Sequence, residues 1–266
     1  MNGAELGSPE FAYLLAALEA EQVIGLRAPD LFPENAAAKE AAYSQGRKDL
    51  ETNGWISPIP RHKDEYELDP MLFELISIIA DPEFVLATIL ESENGGDKGL
   101  LLHYVAQGRI AELAALGDGH YMVGLVPDFE NLIKGLASRL GASNPNPSPR
   151  FNLSKSTFDK VVEAIREGKT NHAEKTLQAA GVQPDEIKWI LGESTSKLQG
   201  EIVLIYVRDG EIEGGRRMAA LGQGETAWMT YRSRTEGGIL SFSNCDEFSL
   251  GALISEWIAD LRKPGE

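Results

Sequence analysis

Cys245 is the only cysteine in the 266-residue chain, and it stands just before a segment with helical spacing. A thiolate there would gain from the positive end of the helix dipole, the setting of many nucleophilic cysteines. No base lies near it in sequence, so the expectation is a packed free thiol, and one cysteine excludes an intramolecular disulfide. The four histidines, His62, His103, His120 and His172, show neither i, i+4 pairing nor a Cys-x-x-Cys partner, so no zinc site is expected. His103 and His120 fall on neighbouring predicted strands and could approach each other. Ser194, Ser196 and Ser243 lack a Gly-x-Ser-x-Gly elbow. The run Asp209–Gly215 has the glycines of a phosphate loop but neither its lysine nor its strand-to-helix context, and reads as a hairpin turn. Asn94–Gly99 reads as a flexible loop. The expectation is therefore no catalytic residue, no metal and no cofactor. An enzyme whose site is assembled from distant positions is kept as an alternative.

Two segments carry residue types suited to binding. Ala36–Leu68 has the order helix, Gly-Trp-Ile strand, turn, strand, as in a winged helix. Its helix presents Lys39, Arg47 and Lys48 against Glu34, Glu40, Asp49 and Glu51, a nearly neutral face ill-suited to phosphates. A winged-helix-like transcriptional regulator is the second reading. On a predicted strand, Trp228, Met229, Tyr231 and Arg232 cluster, and such types concentrate at protein-binding hot spots. Strand alternation sends neighbours to opposite faces, so sheet packing is the competing account of part of this set. These four residues are the candidate protein-binding site.

The elements that must hold these residues belong to a chain with 42% hydrophobic residues, a net charge of −16 and a pI near 4.7. That balance argues against nucleic acid and anionic membrane surfaces as partners; the dense basic spots are only Arg216–Arg217 and Arg232 with Arg234. No apolar run reaches the roughly 18 residues of a membrane span. The longest, around Leu75–Ala80, is interrupted by Glu74, Ser77 and Asp81. A cytoplasmic protein is expected. Residues 1–11, with Gly7-Ser8-Pro9-Glu10-Phe11, look like a translated cloning site and are set aside from the fold as vector-derived.

The remaining pattern predicts an α+β protein of two halves. The N-terminal half, 12–141, holds helices over Phe11–Gln22 and Ala36–Asn53, then a helix opened by Asp69-Pro70 with apolar Leu72, Leu75, Ile76 and Ile79 on one face. Strands Phe84–Leu90, Leu100–Ala106, Ile110–Ala115 and Tyr121–Val126 and a closing helix Asp128–Leu140 follow. Residues 142–152, with three prolines in five positions, read as a linker. The C-terminal half, 153–266, repeats the order. It has helices Thr157–Glu167, Asn171–Ala180 and Pro184–Leu191, then strands Glu201–Val207, Glu211–Leu221, Thr226–Arg232 and Ile239–Ser243. A last helix covers Asp246–Leu261. Leu102–Ile110 and Leu204–Ile212 share Leu-x-Tyr-Val-x-x-Gly-x-Ile at an offset of 102. The closing helices match at an offset of 121, with Phe129, Leu132, Ile133 and Leu136 over Leu250, Leu253, Ile254 and Trp257. A duplication with a pseudo-two-fold axis is expected.

This layout resembles one family, the EspG chaperones of type VII (ESX) secretion. The residues behind the resemblance are an alanine-rich helix ending in Leu50, Gly54, Trp55 and Ile56, then the Leu68-Asp-Pro helix closed by Asp81-Pro82, the meander and the closing helix. It implies two related α+β halves and a non-catalytic cytosolic chaperone or adaptor. The implied partner is a helical secreted effector, a heterodimer of the PE–PPE type, whose exposed helical tip it keeps soluble before secretion. The resemblance carries over no contact positions.

Overall fold

Asp69 shows how local chemistry sets the elements. Its side-chain oxygen accepts from the backbone N–H groups of Met71 and Leu72 at 2.9 and 3.1 Å, and Pro70 occupies the first helical position, where its missing N–H is no loss. The apolar stripe that follows is buried, with Leu72, Leu75 and Ile76 at 0% exposure. The computed structural model describes residues 3–20, 22–27, 31–33, 35–60, 62, 65–90, 99–141, 151–192, 197–223, 226–232 and 238–263.

In chain order the helices are α1 (Ser8–Ala17), α2 (Ala36–Thr52), α3 (Pro70–Ala80), α4 (Phe129–Arg139), α5 (Lys155–Arg166), α6 (Thr170–Ala179), α7 (Pro184–Gly192) and α8 (Glu247–Leu261). The strands are β1 (Gly3–Gly7), β2 (Ile56–Pro58), β3 (Tyr66–Leu68), β4 (Phe84–Leu90), β5 (Gly99–Ala106), β6 (Arg109–Gly117), β7 (His120–Val126), β8 (Phe151–Ser154), β9 (Lys197–Arg208), β10 (Glu211–Gln223), β11 (Thr226–Arg232) and β12 (Ile239–Asn244). The fold class is α+β, as expected. The chain divides into two compact units that are not contiguous in sequence. One contains residues 1–87, 100–132 and 204–215, and the other 88–99, 133–203 and 216–266. The expected linker at 142–150 lies outside the described residues, and Phe151 and Asn152, read as its end, instead form β8 with Leu153 and Ser154.

In the first unit the strands neighbour one another in the order β1-β7-β6-β5-β4, followed by the end of β9. The pairs β1·β7, β7·β6 and β6·β5 are antiparallel. Register places Ala4, Leu6, Tyr121, Val123, Leu113, Leu102 and Tyr104 on one face, and all are buried. Phe11 of α1 closes on Tyr121 there, ring centroids 5.4 Å apart. Phe84 and Tyr206 lie 5.1 Å apart, and the Val207 amide donates to the Glu83 carbonyl, which ties β9 into this unit.

Residues 3–11, set aside at sequence level, belong to this unit. Gly3–Gly7 pairs residue by residue with Gly124–His120, turning Ala4 and Leu6 inward and Glu5 outward. Glu10, three residues into α1, accepts the Gly7 N–H at 2.7 Å and the Asn53 side-chain amide at 2.9 Å, fastening the start of α1 to the end of α2. Gly7, with an extended backbone at φ −75°, is the N-cap of α1, and Pro9 stands in its first turn.

In the second unit the order is β9-β10-β11-β12-β8, antiparallel from β10 onward. One face carries Phe151, Leu153, Trp228 and Phe242 beneath Val161, Ala164, Ala173, Leu177 and Ile187 of α5, α6 and α7. Phe151 stacks on Phe242 with centroids 4.8 Å apart and planes 6° from parallel. The opposite face meets α8, where Tyr231 stands edge-on to Trp257 at 6.0 Å. Both faces are therefore covered.

Three hairpins turn on the same dipeptide conformation. Gln107-Gly108, Asp118-Gly119 and Asp209-Gly210 each have two successive positive φ angles, from 50° to 77°. This is the mirror-image turn whose twist matches that of the flanking strands. The two segments sharing Leu-x-Tyr-Val-x-x-Gly-x-Ile are the β5–β6 and β9–β10 hairpins.

Candidate functional site

The candidate binding set divides by strand alternation. Trp228 is 1% exposed and Met229 2% exposed, one on each covered face of β11. They are core, because helices lie over both sides of the strand. Tyr231 is half-buried against Trp257, and Arg232, at the end of β11, is exposed. On the other side of the sheet from Arg232, the outer side of α8 carries Phe248, 82% exposed, beside exposed Ala252, Ser255 and Glu256. The sequence reading missed Phe248. Its signal was a phenylalanine two residues past the Asp246 N-cap, off the apolar stripe of Leu250, Leu253, Ile254 and Trp257.

Of the residues singled out for chemistry, Cys245 is buried and three of the four histidines face carboxylates. Cys245 is buried, and that burial, with the Asp246 carboxylate second, pushes its thiol up to about 12. The dipole gain expected at a helix start is outweighed by desolvation of the thiolate. His103 faces Glu112, its cross-strand partner, at 2.9 Å with both side chains buried. His120 instead reaches Glu5 at 3.3 Å on the exposed end of β7, so the two histidines do not meet. His62 is exposed beside Glu65 at 3.1 Å. Among the described residues no group of three or more metal-ligating side chains could hold a metal ion. Ser243 is buried with no hydrogen-bond partner among them, while Ser194 and Ser196 lie outside the described residues, as does Asn94–Lys98. Asp209–Gly215 is the hairpin turn and start of β10, as its pattern implies.

The winged-helix-like segment folds as α2 followed by the β2–β3 hairpin, with Ile56 paired to Leu68. Two of its three cations lie over rings of the same chain. The Lys39 ammonium sits 5.8 Å from the Phe32 ring centre and 5.7 Å from that of Tyr43, and the Arg47 guanidinium lies 5.8 Å from the Tyr66 ring centre. Elsewhere, Arg217 pairs with Glu201, and Arg234 lies outside the described residues.

A feature not foreseen from sequence is a cavity of about 620 Å³ within the first unit. Its floor is apolar, formed by buried Ile79, Pro82 and Val207, and its rim carries Glu19, Asp209 and Glu211, all exposed. The Gln22 side-chain amide donates to the Gly210 carbonyl at 3.2 Å, holding the α1 exit against the β9–β10 turn. Glu19 has φ 58°, the left-handed conformation usually given to glycine just past a helix end. No helix among the described residues is long and apolar enough to cross a membrane.

No family model matches the sequence, and no curated protein matches it. The fold does match a solved structure, that of the Mycobacterium tuberculosis type VII secretion system chaperone EspG5 in complex with the PE25-PPE41 dimer. The two chains superpose with a TM-score of 0.64 at 12% sequence identity, over 96% of this chain and 95% of that one. This chain therefore has the EspG fold.

Proposed function

We propose that this protein is a non-catalytic cytosolic chaperone or adaptor that binds a helical, secreted protein heterodimer of the PE–PPE kind for type VII secretion. The observation that carries the reading is the likeness to EspG5, which extends over nearly the whole of both chains. A likeness of that extent reproduces the arrangement of elements and not merely one motif. The burial of Cys245 and the pairing of His103 with Glu112 also favour binding over catalysis, since each keeps a reactive group away from solvent. The two related halves, joined near 142–152, are part of the same proposal.

The proposed contact surface is the exposed end of β11, where Arg232 would pair with carboxylates or helix C-termini of the partner and Tyr231 would border the contact. Trp228 and Met229 hold that strand from its two covered faces.

Affinity purification of the tagged protein from its native cell, with mass spectrometry of what stays bound, tests the reading. Small helical secreted proteins in stoichiometric amounts are expected. Recovery of no reproducible partner would overturn the chaperone function.

A further inference from the structure

The cavity of the first unit combines three observations that single out one occupant. Its floor of Ile79, Pro82 and Val207 is apolar and holds almost no exposed surface of its own, so a ligand resting there gains by withdrawing its own hydrocarbon from water. Its rim is anionic. Among the described residues Glu19, Asp209 and Glu211 form no ion pair, and the nearby Arg208 turns to Glu213 at 3.1 Å and to the Tyr206 hydroxyl at 2.8 Å. The backbone adds to the same potential. Glu19 and Ala20, just past the end of α1, and Ile79 and Ala80, the last residues of α3, all line the cavity. Neither helix has a basic residue in its last turn, so no cation of the helix itself offsets the negative end of either dipole. Glu19 is thus a carboxylate at the helix end that disfavours it, in a backbone conformation that disfavours it.

We infer that this cavity is an anchoring pocket for one arginine or lysine side chain, flanked by apolar residues, on a segment of the protein partner. A long side chain of this type lays its methylenes on the apolar floor while its cationic head stays at the rim. A bare metal ion is not the occupant inferred, since among the described residues no group of three or more metal-ligating side chains could hold one. The inference rests on the preceding reading only in taking the partner to be a protein.

The test uses the full-length, nitrogen-15-labelled protein titrated with three peptides, acetyl-Leu-Arg-Leu-amide, acetyl-Leu-Gln-Leu-amide and acetyl-Leu-Glu-Leu-amide. The arginine peptide is expected to shift the amides of Glu19, Gln22, Val207, Gly210 and Glu211, binding roughly tenfold more tightly than the glutamine peptide and more weakly as salt rises. The combined isosteric variant Glu19→Gln, Asp209→Asn, Glu211→Gln should abolish that preference without loss of fold, as asparagine suits the turn. Glu19→Gly, which relieves the left-handed backbone, should raise the melting temperature while weakening the arginine peptide. Equal binding of all three peptides, shifts centred elsewhere, no shifts at millimolar peptide, or an undiminished preference in the combined variant would each overturn the proposal. Since the probes are peptides, these outcomes leave the recovery of native partners as a separate result.

Discussion

Replacing Trp228 with alanine removes a ring that touches Phe151 and lies under the helices of the second unit. Truncations of this size in a core cost about 3–5 kcal/mol. Arg232→Ala, four residues along the same strand but exposed, should stay within about 0.5 kcal/mol of the parent. Urea denaturation followed by tryptophan fluorescence and circular dichroism checks both. Comparable losses for the two variants would show that the end of β11 is packed more tightly than its exposure indicates. The contrast also shows what sequence could not resolve at this site. Period-2 alternation normally sorts a strand into inner and outer residues, but β11 has helices on both sides. Trp228 and Met229 are therefore both interior, and the residue types give no sign of it.

At the scale of elements, Gly46 decides how α1 and α2 meet. Glycine inside a helix costs about 1 kcal/mol relative to alanine, so Gly46→Ala would stabilise an isolated α2. Here the added Cβ would run into the Pro9 carbonyl and the Glu10 backbone. Forcing a methyl into such a contact costs about 1–3 kcal/mol, and the sum should be destabilising. Gly135 of α4 is the control, because its Cβ would meet only the Arg139 guanidinium, at 3.8 Å. Gly135→Ala should therefore be neutral or stabilising by up to about 1 kcal/mol. In thermal melts Gly46→Ala should lower the midpoint, whereas Gly135→Ala should leave it unchanged or raise it. Most elements were legible for local reasons of this kind. The Asp69-Pro70 start, the Gln107-Gly108 and Asp209-Gly210 turns and the stripe of α8 each state their conformation in residue types. β1 and β8 were not legible. Both are short, and glycine or proline beside them masks a two-residue alternation that only pairing with β7 or β12 makes decisive.

At the scale of the molecule, the compact units do not follow the chain. The first unit needs residues 204–215, which supply Tyr206 to Phe84, Val207 to Glu83 and part of the cavity. A fragment of residues 1–141 should therefore lack cooperative tertiary structure although it spans the whole N-terminal half read from sequence. Near-ultraviolet circular dichroism and a urea titration of the fragment measure this, and a sharp transition with a native-like aromatic signal would contradict it. The Pro-rich stretch reads as a boundary because linker composition is local. Strand partnership between residues more than a hundred positions apart leaves no composition to read, and the cavity depends on the same partnership.

The interleaving also sets a clock for synthesis. After residue 132 leaves the ribosome, the first unit still waits for residue 215, which at about 5–20 residues per second takes roughly 4–17 seconds. Through that interval Phe84 and the β4 edge have no Tyr206 or Val207 to cover them. An unpaired apolar strand edge on a nascent chain is open to aggregation. A protein proposed to shield others is thus itself exposed during its own birth, until the β9–β10 hairpin is translated.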